Sequence, residues 1–383
     1  MTRFTFYEFF AGGGMVRAGL GGGWSCRFAN DFDPVKGAAY AANWGVDTLR
    51  IGDINELSVS DLPGCADLAW ASFPCQDLSL AGAKAGLSGA RSGAFWAFRN
   101  LIAKLADEGR APAILALENV VGALTSQGGR DFAALCEALH ALGYRVGAMV
   151  IDAALFTPQS RPRLFVVAMR RDLRVPPALL GRSPDPALAS PALLRACALL
   201  AQDVAQDWLW WASPAPALRN AELLDVIERE PTDVAWHTPE QTQRLLDLMS
   251  PANLAKVHAA QARGAMQVGA IYRRTRADGR GGRAQRAEVR FDGLAGCLRT
   301  PGGGSSRQFL LFVDGANIRS RLLCGREAAR LMGLADDYSL PERYTDAYHL
   351  LGDGVAPPVV RHLAQHIFEP LLQAALVQRG AAA

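Results

Sequence analysis

The residue best placed to do covalent chemistry is Cys75, in the run Ser-Phe-Pro-Cys-Gln-Asp-Leu-Ser at 72–79. A thiolate is a strong nucleophile that forms covalent intermediates. Residues 67–71, Asp-Leu-Ala-Trp-Ala, are mostly apolar and have the length of a strand, and Pro74 would end that strand. Cys75 would then stand at a strand's carboxyl end, where open α/β sheets place their chemistry. A buried packing cysteine is the alternative, because free cysteines are mostly of that kind.

Glycines and acids follow three other predicted strands in the same way. Three glycines at 12–14 come between the first strand and a helix, so their backbone N–H groups can approach a polar ligand. Asp31 and Asp33 end the second strand, from which a carboxylate reaches a ribose. Asp53 ends the third and could accept from an adenine amino group, with Ile54 against the ring. Each acid alone could instead cap a helix, but three in succession favour an adenosine-bearing cofactor.

Composition narrows the class of protein. The chain has 383 residues, half of them hydrophobic, enough for a large core and two domains. It contains no apolar run of about 18 residues and no signal-peptide pattern. Seven scattered cysteines without a Cys-x-x-Cys pair predict a reduced chain without a structural zinc site.

Positive charge is concentrated in one segment. Lysine is nearly absent, and between Arg273 and Arg290 seven arginines accompany two acids. A GC-rich genome would explain the arginine content but not this clustering. Arginine's planar fork suits phosphate and guanine, so the segment predicts contact with nucleic acid.

The elements that must position these residues follow a doubly wound pattern. Residues 1–170 alternate short apolar strands with helical stretches, as in an α/β fold. Frequent prolines at 175–216 indicate a domain junction. Residues 220–260 are predicted to be helical, 263–313 to form short strands, and 325–334 to form a helix. The predicted strands of the first part lie at 4–10, 24–29, 48–51, 67–71, 113–117, 144–151 and 163–169.

Six motifs, in order and at matching spacing, make nearly the whole chain similar to the DNA (cytosine-5) methyltransferases. Pro-Cys, Glu-Asn-Val and Gln-x-Arg-x-Arg together are the most specific of them. Met15 stands where a glycine is usual in that family, and Asp353-Gly354 stands where Asn-Ser is usual; both departures touch cofactor motifs, and neither removes a catalytic group. The motifs are Phe10-Ala-Gly-Gly-Gly, Phe73-Pro-Cys-Gln-Asp-Leu-Ser, Glu118-Asn-Val, Gln159-Ser-Arg-Pro-Arg, Arg326-Glu-Ala-Ala-Arg-Leu-Met-Gly and Gly352-Asp-Gly-Val.

The resemblance implies a fold and a division into domains. The fold would be α/β, with the doubly wound, Rossmann-like sheet of the S-adenosylmethionine-dependent methyltransferases. A smaller, mostly β target recognition domain would accompany it. Residues 1–172 and 340–383 would form the catalytic domain, with the C-terminal segment packing back on the N-terminal part. Residues 173–318 would be the target recognition domain and 319–339 the hinge.

The resemblance also implies a reaction in which a cytosine leaves the duplex and receives a methyl group on carbon 5. Cys75 would add to carbon 6 of the base. Glu118 would bind ring N3 and the 4-amino group, and Arg163 would hold O2. Arg161 would support Cys75 or a nearby phosphate. The glycine-bearing segment 76–93 would close over the base as a lid.

Two sets of binding residues are implied, and no metal. Of the DNA set, Arg286 is the predicted guanine reader, and Arg283 or Gln285 would fill the gap left by the flipped base. Any one arginine there could contact phosphate instead. The cofactor set is Phe10, Ala11, Gly12, Gly14, Asp31, Phe32, Asp53, Ile54, Pro74, Ala94, Asp353 and Gly354. The DNA set is Gln76, Ser79, Arg283, Gln285, Arg286, Arg299, Gly302, Gly303 and Arg307.

Three other functions compete. A transfer-RNA cytosine methylase would share Cys75 and Glu118 but usually carries Cys-Phe-Thr, which this chain lacks. A catalytically silent regulator would have lost Pro-Cys or Glu-Asn-Val, and a nicotinamide dehydrogenase would need G-x-G-x-x-G. We therefore expect a monomeric bacterial enzyme of the cytoplasm and nucleoid that acts on double-stranded DNA and contacts no membrane. It would work as an orphan or beside a cognate restriction endonuclease, without obligate contact.

Overall fold

The computed structural model describes residues 4–74, 93–219, 221–277, 282–300 and 307–382. Cys75, Gln76, Ser79, Gly302 and Gly303 lie outside the described residues. The strands are β1 (Phe4–Phe9), β2 (Trp24–Asp31), β3 (Leu49–Ile51), β4 (Leu68–Ala71), β5 (Ile114–Val120), β6 (Tyr144–Asp152), β7 (Pro162–Arg170), β8 (Gln267–Ala277), β9 (Arg283–Arg290), β10 (Gln308–Asp314) and β11 (Asn317–Leu322).

Twelve α-helices occur in the described part of the chain. They are α1 (Met15–Leu20), α2 (Pro34–Trp44), α3 (Ala94–Asp107), α4 (Arg130–Ala141), α5 (Pro191–Cys197), α6 (Gln202–Gln206), α7 (Pro239–Asp247), α8 (Pro251–Gln261), α9 (Gly325–Met332), α10 (Tyr344–Asp353), α11 (Pro357–Leu363) and α12 (Glu369–Ala382). Not one of them is both long and apolar enough to cross a membrane.

The chain divides into two compact units, of which the first holds a seven-stranded sheet. Its order is β3-β2-β1-β4-β5-β7-β6, and the seven predicted strands are all present. All pairings are parallel except those of β7, which runs antiparallel to both β5 and β6. Because β7 is reversed, it begins at the edge of the sheet where β5 ends.

Apolar side chains cover both faces of this sheet, as a doubly wound fold requires. On one face α3 buries Phe95, Phe98 and Leu101, whose spacing of three residues places them on one side of a helix. On the other face the ring of Trp70 in β4 packs edge-on against Phe368. The predicted fold class is confirmed.

The C-terminal segment from Val355 onward packs within the first unit. A Cβ on Gly19 of α1 would lie 2.5 Å from Val360 Cβ, so glycine is needed for α11 to approach this closely. Arg361 donates to the carbonyl of Leu20 at 2.7 Å. These contacts join the chain's last helices to its first one.

The second unit comprises residues 153–161 and 217–354. Its antiparallel sheet has the order β11-β10-β8-β9. Val257 of α8 is buried with Ile271 and Leu311 of this sheet in a small separate core. A fully buried ion pair, Arg321 with Glu327 at 2.6 Å, joins β11 to α9.

The units differ from the predicted domain boundaries in two places. Residues 173–216 belong to the first unit, where Leu209 donates to the carbonyl of Val146 in the edge strand β6 at 2.9 Å. Residues 319–354 belong to the second unit, because β11 and α9 are part of its structure and the Tyr348 hydroxyl of α10 accepts from Gln308 N–H at 3.1 Å.

Candidate active site

One edge of the first unit's sheet brings Glu118 and Arg163 together with the end of β4, the strand that precedes Cys75 in sequence. β4 and β5 are parallel neighbours, with Ala71 paired to Leu117, so both end at this edge. β7 begins there, with Arg163 paired to Val120. Pro74 lies three residues beyond β4, and Cys75 follows it in sequence.

Glu118 and Arg163 form an ion pair at this edge. Arg163 Nε lies 3.1 Å from Glu118 Oε1, and both side chains are largely shielded from solvent. Partial burial makes such a pair stronger than one on the surface, because screening by water is reduced. The pair therefore presents one acidic and one basic group in a fixed orientation.

Asn119 fixes the backbone that leads to Cys75. Its side-chain Nδ2 donates to the carbonyl of Phe73 at 3.0 Å, and its Oδ1 accepts from Val120 N–H at 2.9 Å. The Phe73 ring packs against those of Phe10 and Phe95. The sequence analysis missed this positioning role of Asn119, although the residue stands inside the Glu-Asn-Val motif.

The glycine loop after β1 has a left-handed backbone at Phe10, Gly12 and Gly14, with φ of 58°, 55° and 76°. For Phe10 this conformation is strained, a feature that concentrates at functional sites. A Cβ on Gly14 would lie 2.4 Å from Trp44 Nε1, and that indole donates to the carbonyl of Gly13 at 3.0 Å. Only glycine fits at position 14. Ala11 is buried beside this loop.

Met15 is the departure from the usual motif, and it is buried in the structure. It is the first residue of α1 and only 2% exposed. Its side chain therefore fills the interior instead of the exposed surface of the loop.

Asp31 links the end of β2 to the glycine loop. Oδ2 accepts from Gly12 N–H at 2.7 Å and Oδ1 from Asp33 N–H at 2.9 Å. Burial raises the pKa of Asp31 above its usual range, against the opposing effect of these hydrogen bonds. A carboxylate has about four acceptor positions, so two remain for a ligand. Next to it, Phe32 is 73% exposed, which is unusual for so large an aromatic side chain.

The other predicted acids cap helical turns. Asp33 accepts from Val35 N–H at 2.8 Å at the start of α2. Asp53 accepts from Asn55 N–H at 2.9 Å and begins a short turn that contains Ile54. Ile54 is 4% exposed and belongs to the core. The capping alternative is thus observed for both acids, and cofactor contacts of Asp53, Ile54 and Ala94, the first residue of α3, stay predictions.

Glu8 is a buried acid that the sequence analysis missed. It lies in β1 with no exposed surface, and neither carboxyl oxygen forms a hydrogen bond with standard geometry to a described residue. Burial raises its pKa to about 8, opposed by Arg17 and by the N–H groups of Val16 and Arg17 in α1. The sequence does contain a signal for this buried acid, because Glu8 is a charged residue within an otherwise mostly apolar strand.

The Gln-x-Arg-x-Arg motif is divided between the two units. Arg163 belongs to the first unit, whereas Gln159 and Arg161 belong to the second. Arg161 is 1% exposed and donates to the carbonyls of Leu298 and Gly352 at 2.8 Å each. The predicted support of Cys75 or of a phosphate by Arg161 is untested, because Cys75 lies outside the described residues.

Three of the predicted DNA-binding residues, Arg283, Gln285 and Arg286, lie on β9, which pairs with β8. Arg286 pairs with Arg274 and is exposed. Strand alternation places Arg283 and Gln285 on the opposite face from Arg286. Gln285 accepts from Arg273 Nη1 at 3.4 Å, and the Arg273 guanidinium lies 4.9 Å from the centre of the Phe309 ring.

Arg307 and Asp353, two more of the predicted residues that the structure describes, lie at the two ends of α10. Arg299 is exposed, and Arg307 donates to Thr345 Oγ1 at 3.2 Å while its guanidinium lies over the Tyr344 ring. The Asp353 carboxylate accepts a hydrogen bond from the Thr300 hydroxyl. No group of three or more metal-binding side chains was found among the described residues.

Comparison with known proteins decides the family. The model of the C-5 cytosine-specific DNA methylase family matches residues 4–369. The chain belongs to this family. As a member, it is an S-adenosylmethionine-dependent DNA (cytosine-5) methyltransferase.

Several relatives are type II methyltransferases. M.DsaV of Dactylococcopsis salina is 27% identical over 374 residues, covering 94% of this chain and 84% of the relative. M.HhaI of Haemophilus parahaemolyticus is 25% identical over 373 residues, covering 96% and 95%. M.BsuFI of Bacillus subtilis is 33% identical over 175 residues, covering only 45% and 41%.

Solved structures share the fold of this methyltransferase. The S. pombe Dnmt2 methyltransferase superposes with a TM-score of 0.60 at 18% identity, covering 96% of this chain and 99% of that one. A putative DNA modification methyltransferase encoded within an E. coli prophage gives 0.54 at 15% identity, covering 97% and 99%. At such low identity these likenesses concern the fold alone.

Proposed function

We propose that this methyltransferase acts on a cytosine flipped out of double-stranded DNA, with Cys75 as the nucleophile. The observation that carries the proposal is the sheet edge where the Glu118–Arg163 pair lies beside the end of β4. Asn119 holds the carbonyl of Phe73 there, two residues before Cys75. An acid, a base-binding cation and a positioned thiol are the groups that this chemistry needs.

Carbon 5 of cytosine is a poor nucleophile, so a covalent step must activate it. The Cys75 thiolate adds to carbon 6, and the electrons of the C5–C6 double bond become available at carbon 5. S-adenosylmethionine, when bound, would supply the methyl group to carbon 5 and leave as S-adenosylhomocysteine. Water held near Glu118 or Asn119 then removes the carbon-5 proton. The double bond re-forms as the C6–S bond breaks, which releases the thiolate.

Glu118 and Arg163 have complementary roles toward the base. Glu118 binds N3 and the 4-amino group, which stabilises the ring as negative charge develops on it. Arg163 holds O2 and, through its contact with Glu118, fixes the direction of the carboxyl group. The target base must leave the stack to reach them.

The described cofactor residues fit S-adenosylmethionine. The left-handed Gly12–Gly14 turn lies against Asp31, Asp31 has acceptor positions suited to ribose hydroxyls, and Phe32 offers an uncovered ring beside it. Asp353 and Gly354, at the end of α10, complete the set of cofactor-binding residues that the resemblance predicts. Pro74 and Ala94 lie on either side of the undescribed segment.

The second unit supplies the proposed DNA reader. The β8–β9 hairpin extends beyond β10, whose pairing with β8 ends at Tyr272, and a two-stranded ribbon fits the major groove. Arg286 would bind guanine, and Arg283 or Gln285 on the other face would fill the vacated base position. Arg299, Arg307 and the glycines between them would contact DNA as a second loop.

The cellular setting follows from the relatives and the substrate. The type II names of the relatives support a restriction-modification role, with an endonuclease that need not contact this chain. Action on DNA supports a place at the bacterial nucleoid in the cytoplasm. We expect the monomer to be the active form.

Bisulfite sequencing of DNA from cells that express the protein tests the proposal. Methylated cytosines should occur in one short sequence context and should be absent with Cys75→Ala. Duplexes that carry 5-fluorocytosine in that context should form a complex with the wild-type protein that survives SDS, because fluorine cannot leave as a proton does. Methylation of transfer RNA instead of DNA, or normal turnover by Cys75→Ala, would contradict the proposal.

A further inference from the structure

Arg161 binds three backbone carbonyls that lie in two separate segments of the second unit. Nη1 donates to the carbonyl of Leu298 at 2.8 Å, and Nη2 donates to the carbonyls of Gly352 at 2.8 Å and Gly354 at 2.5 Å. The side chain is 1% exposed. A guanidinium this deeply buried is stable only while its N–H groups keep acceptors, so separating either segment from it is unfavourable.

The two segments that Arg161 joins also touch each other directly. A Cβ on Gly352 would lie 2.8 Å from both the carbonyl carbon of Arg299 and the backbone nitrogen of Thr300. The Thr300 hydroxyl donates to the Asp353 carboxylate. Residues 298–300 and 352–354 therefore pack together around Arg161, and we name this cluster the Arg161 clasp.

The clasp lies where the chain passes between the two units. Arg161 is the last residue of the second unit before β7, and Gly354 is its last residue before Val355. The carbonyl of Arg161 also accepts from Ala153 N–H at 3.2 Å, and Ala153 is the first residue of the second unit after β6. The chain passes from one unit to the other at four places, after residues 152, 161, 216 and 354. At three of these places, the residue that belongs to the second unit is part of one hydrogen-bonded cluster.

The segments in the clasp have different predicted ligands. Arg299 begins the second DNA recognition loop, whereas Asp353 and Gly354 belong to the last cofactor motif. Because both segments are bonded to the same buried guanidinium, a displacement of one changes the hydrogen bonds of the other. We propose that Arg161 is a positioning residue that couples DNA binding to cofactor binding. The inference rests on the proposed function.

Calorimetry with S-adenosylhomocysteine measures this coupling without turnover. Its affinity is determined with and without a saturating duplex that contains the methylated sequence found by bisulfite sequencing. We expect the duplex to raise the wild-type affinity by about fivefold or more, a typical allosteric coupling. The cofactor product should raise the affinity for the duplex by the same factor, since coupling is reciprocal.

Arg161→Met and Arg161→Lys should bring both ratios to within about twofold of one. Lysine keeps the charge but lacks the planar fork that reaches two segments at once. Arg326→Met is the matched control, because Arg326 donates to the backbone carbonyls of Ala335 and Tyr338 elsewhere in the same unit. It should keep the wild-type ratios. Thr300→Val, which leaves Arg161 in place, should lower the ratios partially and serves if the Arg161 variants do not fold.

Three outcomes would overturn the inference. The first is a wild-type protein without coupling, and the second is an Arg161 variant that binds each ligand more weakly with unchanged ratios. The third is an Arg161 variant whose DNA binding releases about one ion fewer in a salt series while the coupling is unchanged. That result would make Arg161 a phosphate contact. Failure of the proposed function would be distinct, since the wild type would then bind no duplex or methylate none.

Discussion

Arg163 Nε and Glu118 Oε1 lie 3.1 Å apart, at the point where the reversed strand β7 begins beside the end of β5. Reversal of β7 is what allows a residue at the start of one strand to meet a residue near the end of another. The pair therefore depends on the sheet topology as much as on the two side chains.

Glu118→Gln should lower the single-turnover rate of methylation by about 10²–10⁴-fold, the usual contribution of a positioned acid. Arg163→Lys should lower it less, because the charge remains. Duplex affinity should change little in either variant. The double variant should be slowed by much less than the product of the two single effects, since the residues act as a pair. Fully multiplicative effects would show that they act independently.

Asp31→Ala should weaken S-adenosylmethionine binding by roughly 1–3 kcal/mol, because buried partners lose their acceptor. Burial raises the pKa of Asp31, so the wild-type carboxylate is protonated at a higher pH than an ordinary aspartate. Affinity should consequently weaken as the pH falls toward that raised pKa, and Asp31→Asn should show no such dependence. Calorimetry over a pH series measures both effects. Unchanged affinity in Asp31→Ala would move the ribose contact to another residue, with Asp33 the first candidate.

Glu8→Gln should make the folded state more stable at alkaline pH. Burial raises the pKa of Glu8 from 4.5 to about 8, so between these values the folded protein holds a proton that the unfolded chain has released. Stability should decline as the pH rises through this window, by up to about 1.4 kcal/mol per pH unit, and the loss is complete above it. Urea unfolding at pH 5–9 should show a flatter profile for Glu8→Gln. The exposed control Glu56→Gln should keep the wild-type profile.

Arg286→Ala should cost about 1–3 kcal/mol on the cognate duplex and far less on a scrambled one, if its guanidinium reads a guanine. Arg273→Ala, if that residue touches phosphate, should weaken both duplexes alike and lower the salt slope by about one ion. Fluorescence anisotropy across a salt series separates the two results. Equal weakening of both duplexes by Arg286→Ala would make it a backbone contact.

The sheet of the first unit could be predicted because each strand is a short apolar run that ends in glycine, proline or a polar residue. The same logic placed Asp31 and Glu118 at strand ends. It did not reveal that Asp33 and Asp53 cap helical turns, since a capping acid and a ligand-binding acid look alike in sequence. The domain limits stay a prediction: the predicted boundary lies at residue 173, whereas the compact units divide after Pro216. Leu209 is bonded to the edge strand β6 through a backbone hydrogen bond, and such a bond leaves no pattern in the sequence.

The role of Arg161 was equally hidden. Its acceptors are the backbone carbonyls of Leu298, Gly352 and Gly354, which are more than 130 residues away in sequence. Every residue has a backbone carbonyl, so the sequence does not indicate which ones accept a hydrogen bond. Arg161 and Arg163 stand two positions apart in one motif and yet belong to different units. The spacing of the motif identified both arginines, but it did not indicate that they lie in different units.

The outer half of the β8–β9 hairpin pairs only with itself: residues 274–277 are bonded to 283–286, past the last partner on β10. No described side chain in that half belongs to a buried core. Substitutions of the described side chains there should therefore cost little folding stability. The proposed reading surface and the sheet that carries Glu118 and Arg163 belong to different cores, so changes on this half of the hairpin leave the folding of the catalytic sheet unaffected.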